Sequence, residues 1–175
     1  MIHFIGAGPG DPELITVKGG NVLGRCSVVI YAGSLVNPKV LDYAPKDSVI
    51  YDSARMNLDE VLEVMRRAHE LGKDVARVHT GDPCIYGAIR EQMAALEELG
   101  IPFEVIPGVS SFTASCAALK RELTLPGVSQ TIIITRAEGR TPVPAGEELQ
   151  SLAKAKATMA IFLSIDKIQR SEERR

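Results

Sequence analysis

Disulfides have little to work with in this chain of 175 residues, which carries only three cysteines. Cys26, Cys84 and Cys116 show no CxxC spacing, which excludes a disulfide scaffold and a cysteine-ligated zinc site and fits a reducing, cytoplasmic compartment. An excess of charge of one sign is also missing. With 20 Lys and Arg against 22 Asp and Glu the net charge is -2, so there is no general attraction to nucleic acid or to an anionic membrane. No apolar run is long enough to span a bilayer. The start, Met1-Ile2-His3-Phe4-Ile5-Gly6, has neither the basic region nor the small-residue cleavage site of an export signal. His3 and His69 lack a partner at ligand spacing, and no metal site is expected. What the chain does have is 45% hydrophobic residues, enough to bury a core.

Those apolar residues come in short runs that alternate with helical patterns. Ile2 to Ile5, Val28 to Tyr31, Ser48 to Tyr51, Asp74 to Val78 and Phe103 to Ile106 read as strands, and the unbroken apolar run at Val28 suggests burial on both faces. Between them, Thr16 can cap a helix running to about Cys26, and Asn37-Pro38 can start a short helix through Leu41. Leu58, Val61, Leu62, Met65, Ala68 and Leu71 hold one helical face closed by Gly72. From Tyr86 onward Ile89, Met93, Leu96 and Leu99 recur at helical spacing. Ser110 or Ser111 can cap a helix through Leu119. Five strands alternating with helices imply an α/β architecture with a parallel sheet and helices on both faces. An N-terminal domain is expected over residues 1–110. Over 111–175 we expect a connecting helix and the start of a second α/β domain, with strands at Thr131 to Thr135 and Ala157 to Leu163, a helix around Glu147 to Lys154 and a charged end from Asp166. Two strands are too few for an independent sheet, so this second domain is expected to be incomplete.

Glycines and prolines follow three of the strands, at Gly6-Ala7-Gly8-Pro9-Gly10-Asp11-Pro12, at Gly81-Asp82-Pro83 and at Pro107-Gly108-Val109-Ser110-Ser111. Strand ends of this kind face one edge of a parallel sheet, where ligands favour binding, so the three loops can line one cleft. The first loop invites a dinucleotide reading, but GxGxxG from Gly6 would need glycine where Asp11 stands, and Pro9 removes an amide donor. The only Gly-Lys pair, Gly72-Lys73, is followed by Asp74, which excludes a Walker loop.

These three loops, with Leu14-Ile15-Thr16, resemble in order and spacing the tetrapyrrole methylases. Within that family Tyr31-Ala32-Gly33-Ser34-Leu35-Val36, Tyr51-Asp52-Ser53-Ala54 and Met56-Asn57-Leu58 are most like the branch that methylates a cobalamin precursor at a ring carbon, in its cobalt-containing or cobalt-free form. The branch acting on uroporphyrinogen III carries aspartate where this chain has Ala32. The resemblance covers nearly the whole chain to about Leu163 and implies a tetrapyrrole-methylase-like fold, a homodimer, S-adenosylmethionine as methyl donor, S-adenosylhomocysteine as product and an acidic tetrapyrrole as substrate.

By that resemblance Pro9, Gly81, Asp82, Ile85, Ser110 and Ser111 are expected to contact the cofactor. Ala32, Gly33 and Ser34 would border the macrocycle. Arg55, with Lys39 and Arg136, is a candidate for its carboxylates, because arginine clamps a carboxylate bidentately and lysine offers a point charge. No nucleophile is required, and no residue stands out as a base. A non-catalytic binding module stays open beside the enzyme, because the second domain is expected to be incomplete.

Overall fold

The computed structural model describes residues 1–33, 35–139 and 141–168. Its chain divides into two compact units, Met1–Ala114 and Ser115–Arg175.

In the first unit the short apolar runs form β1 (Ile2–Gly6), β2 (Val28–Tyr31), β3 (Val49–Asp52), β4 (Val75–His79) and β5 (Phe103–Ile106). They pair in the order β3-β2-β4-β1-β5, and every pairing is parallel. Successive side chains of a strand point to opposite faces, and both faces are covered over β1, β2 and β4, while the edge strand β3 is exposed. Ile2, Phe4, Val28, Ile30 and Val75 pack with Val61, Met65, Ala68 and Leu96 in one core. Ile5, Val29, Ala76, Val78 and Ile106 pack with Val22 and Leu23 in the other. The expected two-sided parallel sheet is the observed one.

The helices supply those covering residues. Thr16 accepts from the Gly19 amide and caps α1 (Val17–Leu23), which ends sooner than the run to Cys26 suggests. Asn57 caps α2 (Leu58–Glu70) in a full capping box with Glu60. Gly72, at φ +66°, ends α2 as its pattern implies, because a left-handed residue lets the chain turn back without a Cβ penalty. Asn37 caps a 3-10 turn over Pro38–Tyr43, and a second 3-10 turn covers Ser53–Arg55.

One helix begins later than its periodicity suggests. α3 spans Arg90–Glu98, whereas the helical spacing extends back to Tyr86. Tyr86 and Ala88 stand at φ +54° and +51°, left-handed values that no right-handed helix can contain. Pro83 to Ile89 therefore forms an irregular loop over the end of β4. α4 (Ser111–Leu119) follows β5, with its first intrahelical bond running from the Ala114 amide to the Ser110 carbonyl.

In the second unit β6 (Ile132–Arg136) and β7 (Thr158–Phe162) form a parallel two-stranded sheet, joined through α5 (Leu149–Ala153). The charged segment after Ile168 lies outside the described residues. No helix among the described residues is long and apolar enough to cross a membrane.

Candidate functional site

The parallel sheet puts the ends of β1, β4 and β5 side by side, and the glycines there let three loops close on each other. Gly6 lies opposite His79 in register. Beyond it the Ala7 amide donates to the His79 carbonyl at 2.7 Å, and the Gly81 amide donates to the Gly8 carbonyl at 2.8 Å. A Cβ on Gly108 would stand 2.1 Å from the Gly81 carbonyl oxygen, and one on Gly6 would stand 2.5 Å from Gly108 Cα. Side chains cannot be accommodated at either position. These glycines thus serve contact between loops, a role that precedes any approach of a ligand.

Asp82 locks the arrangement. Its Oδ1 accepts from the Cys84 amide at 2.8 Å and its Oδ2 from the Gly108 amide at 3.2 Å, so one carboxylate joins the loop after β4 to the loop after β5. Both oxygens of the expected ligand-contacting aspartate are thereby engaged within the protein. A Cβ on Gly81 would lie 3.9 Å from Ser110 Cα and from the Ser111 nitrogen, so three of the expected cofactor residues are close neighbours. Ser110 is buried and Ser111 exposed, while Pro9 and Ile85 are half-buried at the margins. Asn37 donates from Nδ2 to the Gly10 carbonyl at 2.7 Å, holding the first loop from the side of β2.

The residues expected at the macrocycle are less concentrated. The Ala32 amide donates to the Val78 carbonyl at 3.2 Å, which fixes the start of the β2 loop beside β4. Gly33 donates to Asp52 Oδ1 at 3.2 Å, and a Cβ there would lie 2.1 Å from that oxygen, so Asp52 sets the path of this loop too. Ser34 lies outside the described residues. Arg55 and Lys39 are exposed. Arg136 belongs to the second unit, where its guanidinium donates to the carbonyls of Thr141 and Pro142, each at 2.9 Å.

Beneath the loops lies a set of buried polar side chains that the strand pattern concealed. His79 and Arg77 share a face of β4 with Val75. Burial first, then the neighbouring Arg77 charge, pushes the His79 imidazole down to about 3, so it is neutral at ordinary pH and no proton carrier there. His79 Nε2 and Thr80 Oγ1 are buried without a hydrogen-bond partner among the described residues. Gln92 of α3 accepts from Arg77 Nε at 3.0 Å and donates to the Ala88 carbonyl at 3.0 Å, holding the left-handed Ala88 in place. A charge inside the apolar run Val75-Ala76-Arg77-Val78 was the available sign of this network.

S-adenosylmethionine fits these residues in three respects. Gly81 carries no side chain where Ser110 and Ser111 approach, Thr80 Oγ1 next to it in the chain is without a hydrogen-bond partner among the described residues, and nothing lies within 4 Å of the Cβ position of Gly10.

The chain is similar to known proteins along nearly its whole length. The family model described as Tetrapyrrole (Corrin/Porphyrin) Methylases matches residues 1–174. A relative named cobalt-precorrin-4 C(11)-methyltransferase, from Methanocaldococcus jannaschii, is 59% identical over 169 residues, covering 97% of this chain and 65% of its own length. The chain thus spans slightly less than two thirds of that relative. The X-ray structure of a cobalamin biosynthetic enzyme, cobalt precorrin-4 methyltransferase, superposes with a TM-score of 0.90 at 50% identity, over 93% of this chain and 68% of that one. Uroporphyrin-III C-methyl transferase from Thermus thermophilus, solved with S-adenosyl homocysteine, gives a TM-score of 0.78 at 29% identity, over 98% of this chain and 70% of that one.

Proposed function

The chain belongs to the tetrapyrrole (corrin/porphyrin) methylase family, and from that premise we propose that it methylates precorrin-4, or its cobalt complex, at C11 in cobalamin synthesis, with S-adenosylmethionine as donor. The observation that carries this reading is the Gly81-Asp82 loop, tied by Gly8 and Gly108 to its neighbours and facing Ser110 and Ser111. That constellation stands in a chain similar, along nearly its whole length, to proteins named for this reaction.

Bound at this sheet edge, S-adenosylmethionine supplies a methyl group already activated by its sulfonium, so the chain need provide no nucleophile. Its residues hold and orient. Gly81, Ser110 and Ser111 present backbone and hydroxyl groups, Thr80 offers a hydroxyl, and Pro9 and Ile85 pack at the margins. Catalysis then comes from alignment of donor and acceptor, an effect able to supply much of a barrier when the reacting atoms are held in line. The macrocycle lies toward Ala32 and Gly33 of the β2 loop, with Arg55 free at the surface to meet a carboxylate. Ala32, where the uroporphyrinogen branch has aspartate, favours the corrin-forming substrate. The same reading includes a homodimer in the cytoplasm.

The test is transfer of an isotopically labelled methyl from S-adenosylmethionine. Label at C11 of precorrin-4 or cobalt-precorrin-4, with none on uroporphyrinogen III, supports the assignment. Label on uroporphyrinogen III alone moves the chain to the other branch, and label on none of them contradicts the enzyme reading.

A further inference from the structure

Arg77 is the only lysine, arginine or carboxylate among the described residues that is more than nine-tenths buried, at 7% exposure. It stands in the middle of β4 in an apolar layer with Ile30, Val61 and Val75. A buried charge without a counter-charge is strongly disfavoured, and proteins rarely keep one without a use. Here no carboxylate compensates it: its pKa is lowered to about 10 by burial alone, and the group stays ionised at neutral pH.

Its hydrogen bonds are also incomplete. A guanidinium presents a rigid fork of N–H donors. Among the described residues only Nε finds a good acceptor, Gln92 Oε1 at 3.0 Å, while Nη1 reaches the Ile30 carbonyl at 3.4 Å. Nη2 makes no hydrogen bond among the described residues. Arg77 lines a cavity of about 300 Å³ together with Ser53, Met56, Asn57, Leu58, Val61, Ala88, Glu91 and Gln92. Arg77, Val61 and Gln92 are its buried floor, and Asn57, Leu58, Ala88 and Glu91 are exposed at its mouth.

We propose that this cavity is a carboxylate-binding subsite in which Arg77 receives one acidic side chain of the substrate macrocycle. The free edge of the guanidinium matches a carboxylate bidentately. Glu91 is the one like charge on the rim. It is solvent-exposed and screened, whereas Arg77 acts from a buried position where its attraction is stronger. The cavity opens beside Ser53, directly after β3, on the same sheet edge as Ala32 and Gly33. A ring lying against the β2 loop could therefore send a side chain into it. This assignment rests on the tetrapyrrole reading for the identity of the carboxylate, and on the geometry of Arg77 for its position.

The test uses uroporphyrin III, a tetrapyrrole polycarboxylic acid, and its methyl ester as probes. Binding of each is followed by fluorescence for the chain, for Arg77→Met and for Arg77→Lys, beside melting temperatures and calorimetric binding of S-adenosylhomocysteine. The chain should bind the acid and not the ester. Arg77→Met should bind the acid at least tenfold more weakly, with S-adenosylhomocysteine affinity unchanged and a melting temperature equal or higher, because a buried charge without a counter-charge has been removed. Arg77→Lys, which keeps the charge and loses the fork, should fall between them, and it decides the matter if Arg77→Met fails to fold. Equal binding of acid and ester, unchanged acid binding in the folded variants, or no binding of the acid by the parent chain overturns the subsite. Loss of S-adenosylhomocysteine binding in the parent with acid binding intact would instead overturn the methyltransferase reading and leave the subsite standing.

Discussion

Gly108 shows how little room single residues have at this sheet edge. A methyl group there would meet the Gly81 carbonyl at 2.1 Å, and that carbonyl belongs to rigid backbone. Gly108→Ala should therefore cost about 1–3 kcal/mol in stability, the usual range for overpacking, and weaken S-adenosylhomocysteine at least tenfold by calorimetry. Asp82 makes a complementary case. Its two oxygens serve two amides, and an asparagine has only one oxygen to offer. Asp82→Asn should lose about 1–2 kcal/mol in urea denaturation, because one charge-assisted bond to a backbone amide is left unmade. A variant as stable as the parent would show that the bonds to Cys84 and Gly108 carry little. The type of residue at Asp82 was readable from its place before Pro83. Its bond to Gly108 was not, since it joins positions 26 residues apart.

At the scale of elements, strands and helix starts were legible because they depend on local chemistry. Thr16 announces its helix through a side chain that caps an amide three residues on, and does so here; Asn57 caps α2 in the same way. Asn57→Ala should lower stability by about 1 kcal/mol and Asn57→Asp should restore it, as read by thermal unfolding. The start of α3 was not legible. Ile89, Met93 and Leu96 keep helical spacing, but the loop before them is set by the bond from Gln92 to the Ala88 carbonyl and by Gly87, where a Cβ would lie 2.1 Å from the Pro83 carbonyl oxygen. Periodicity reports which face is buried and cannot report a left-handed Tyr86. Arg77 escaped for a related reason: in a strand pattern a lone charge reads as an edge or a surface, whereas β4 is a central strand.

At the scale of the molecule, the buried polar layer couples folding to pH. His79 has a folded pKa of about 3 against an ordinary value of 6.5. The unfolded chain therefore binds the proton more readily, and stability is full above pH 6.5 and falls as pH drops from there toward 3. Asp74 and Glu104, held low by the N-terminal ammonium and by Lys18 respectively, act in the same direction at the acid end. One proton changes stability by about 1.4 kcal/mol per pH unit, so His79→Gln should flatten the slope between pH 6 and 4 by up to that amount in denaturant titrations. An unchanged slope would assign the acid sensitivity to the carboxylates.

Which molecule the sheet edge serves was legible only through the company of its loops. Any one of Gly6 to Pro12, Gly81 to Pro83 or Pro107 to Ser111 is an ordinary turn by itself, and the parallel order β3-β2-β4-β1-β5 is what brings them together. The most direct measurement is a crystal structure of the chain grown with S-adenosylhomocysteine. The ligand should lie against Gly81 and Ser110, with Thr80 Oγ1 no longer without a partner. A ligand seated elsewhere, or none bound at saturating concentration, would contradict the assignment of this edge as the cofactor site.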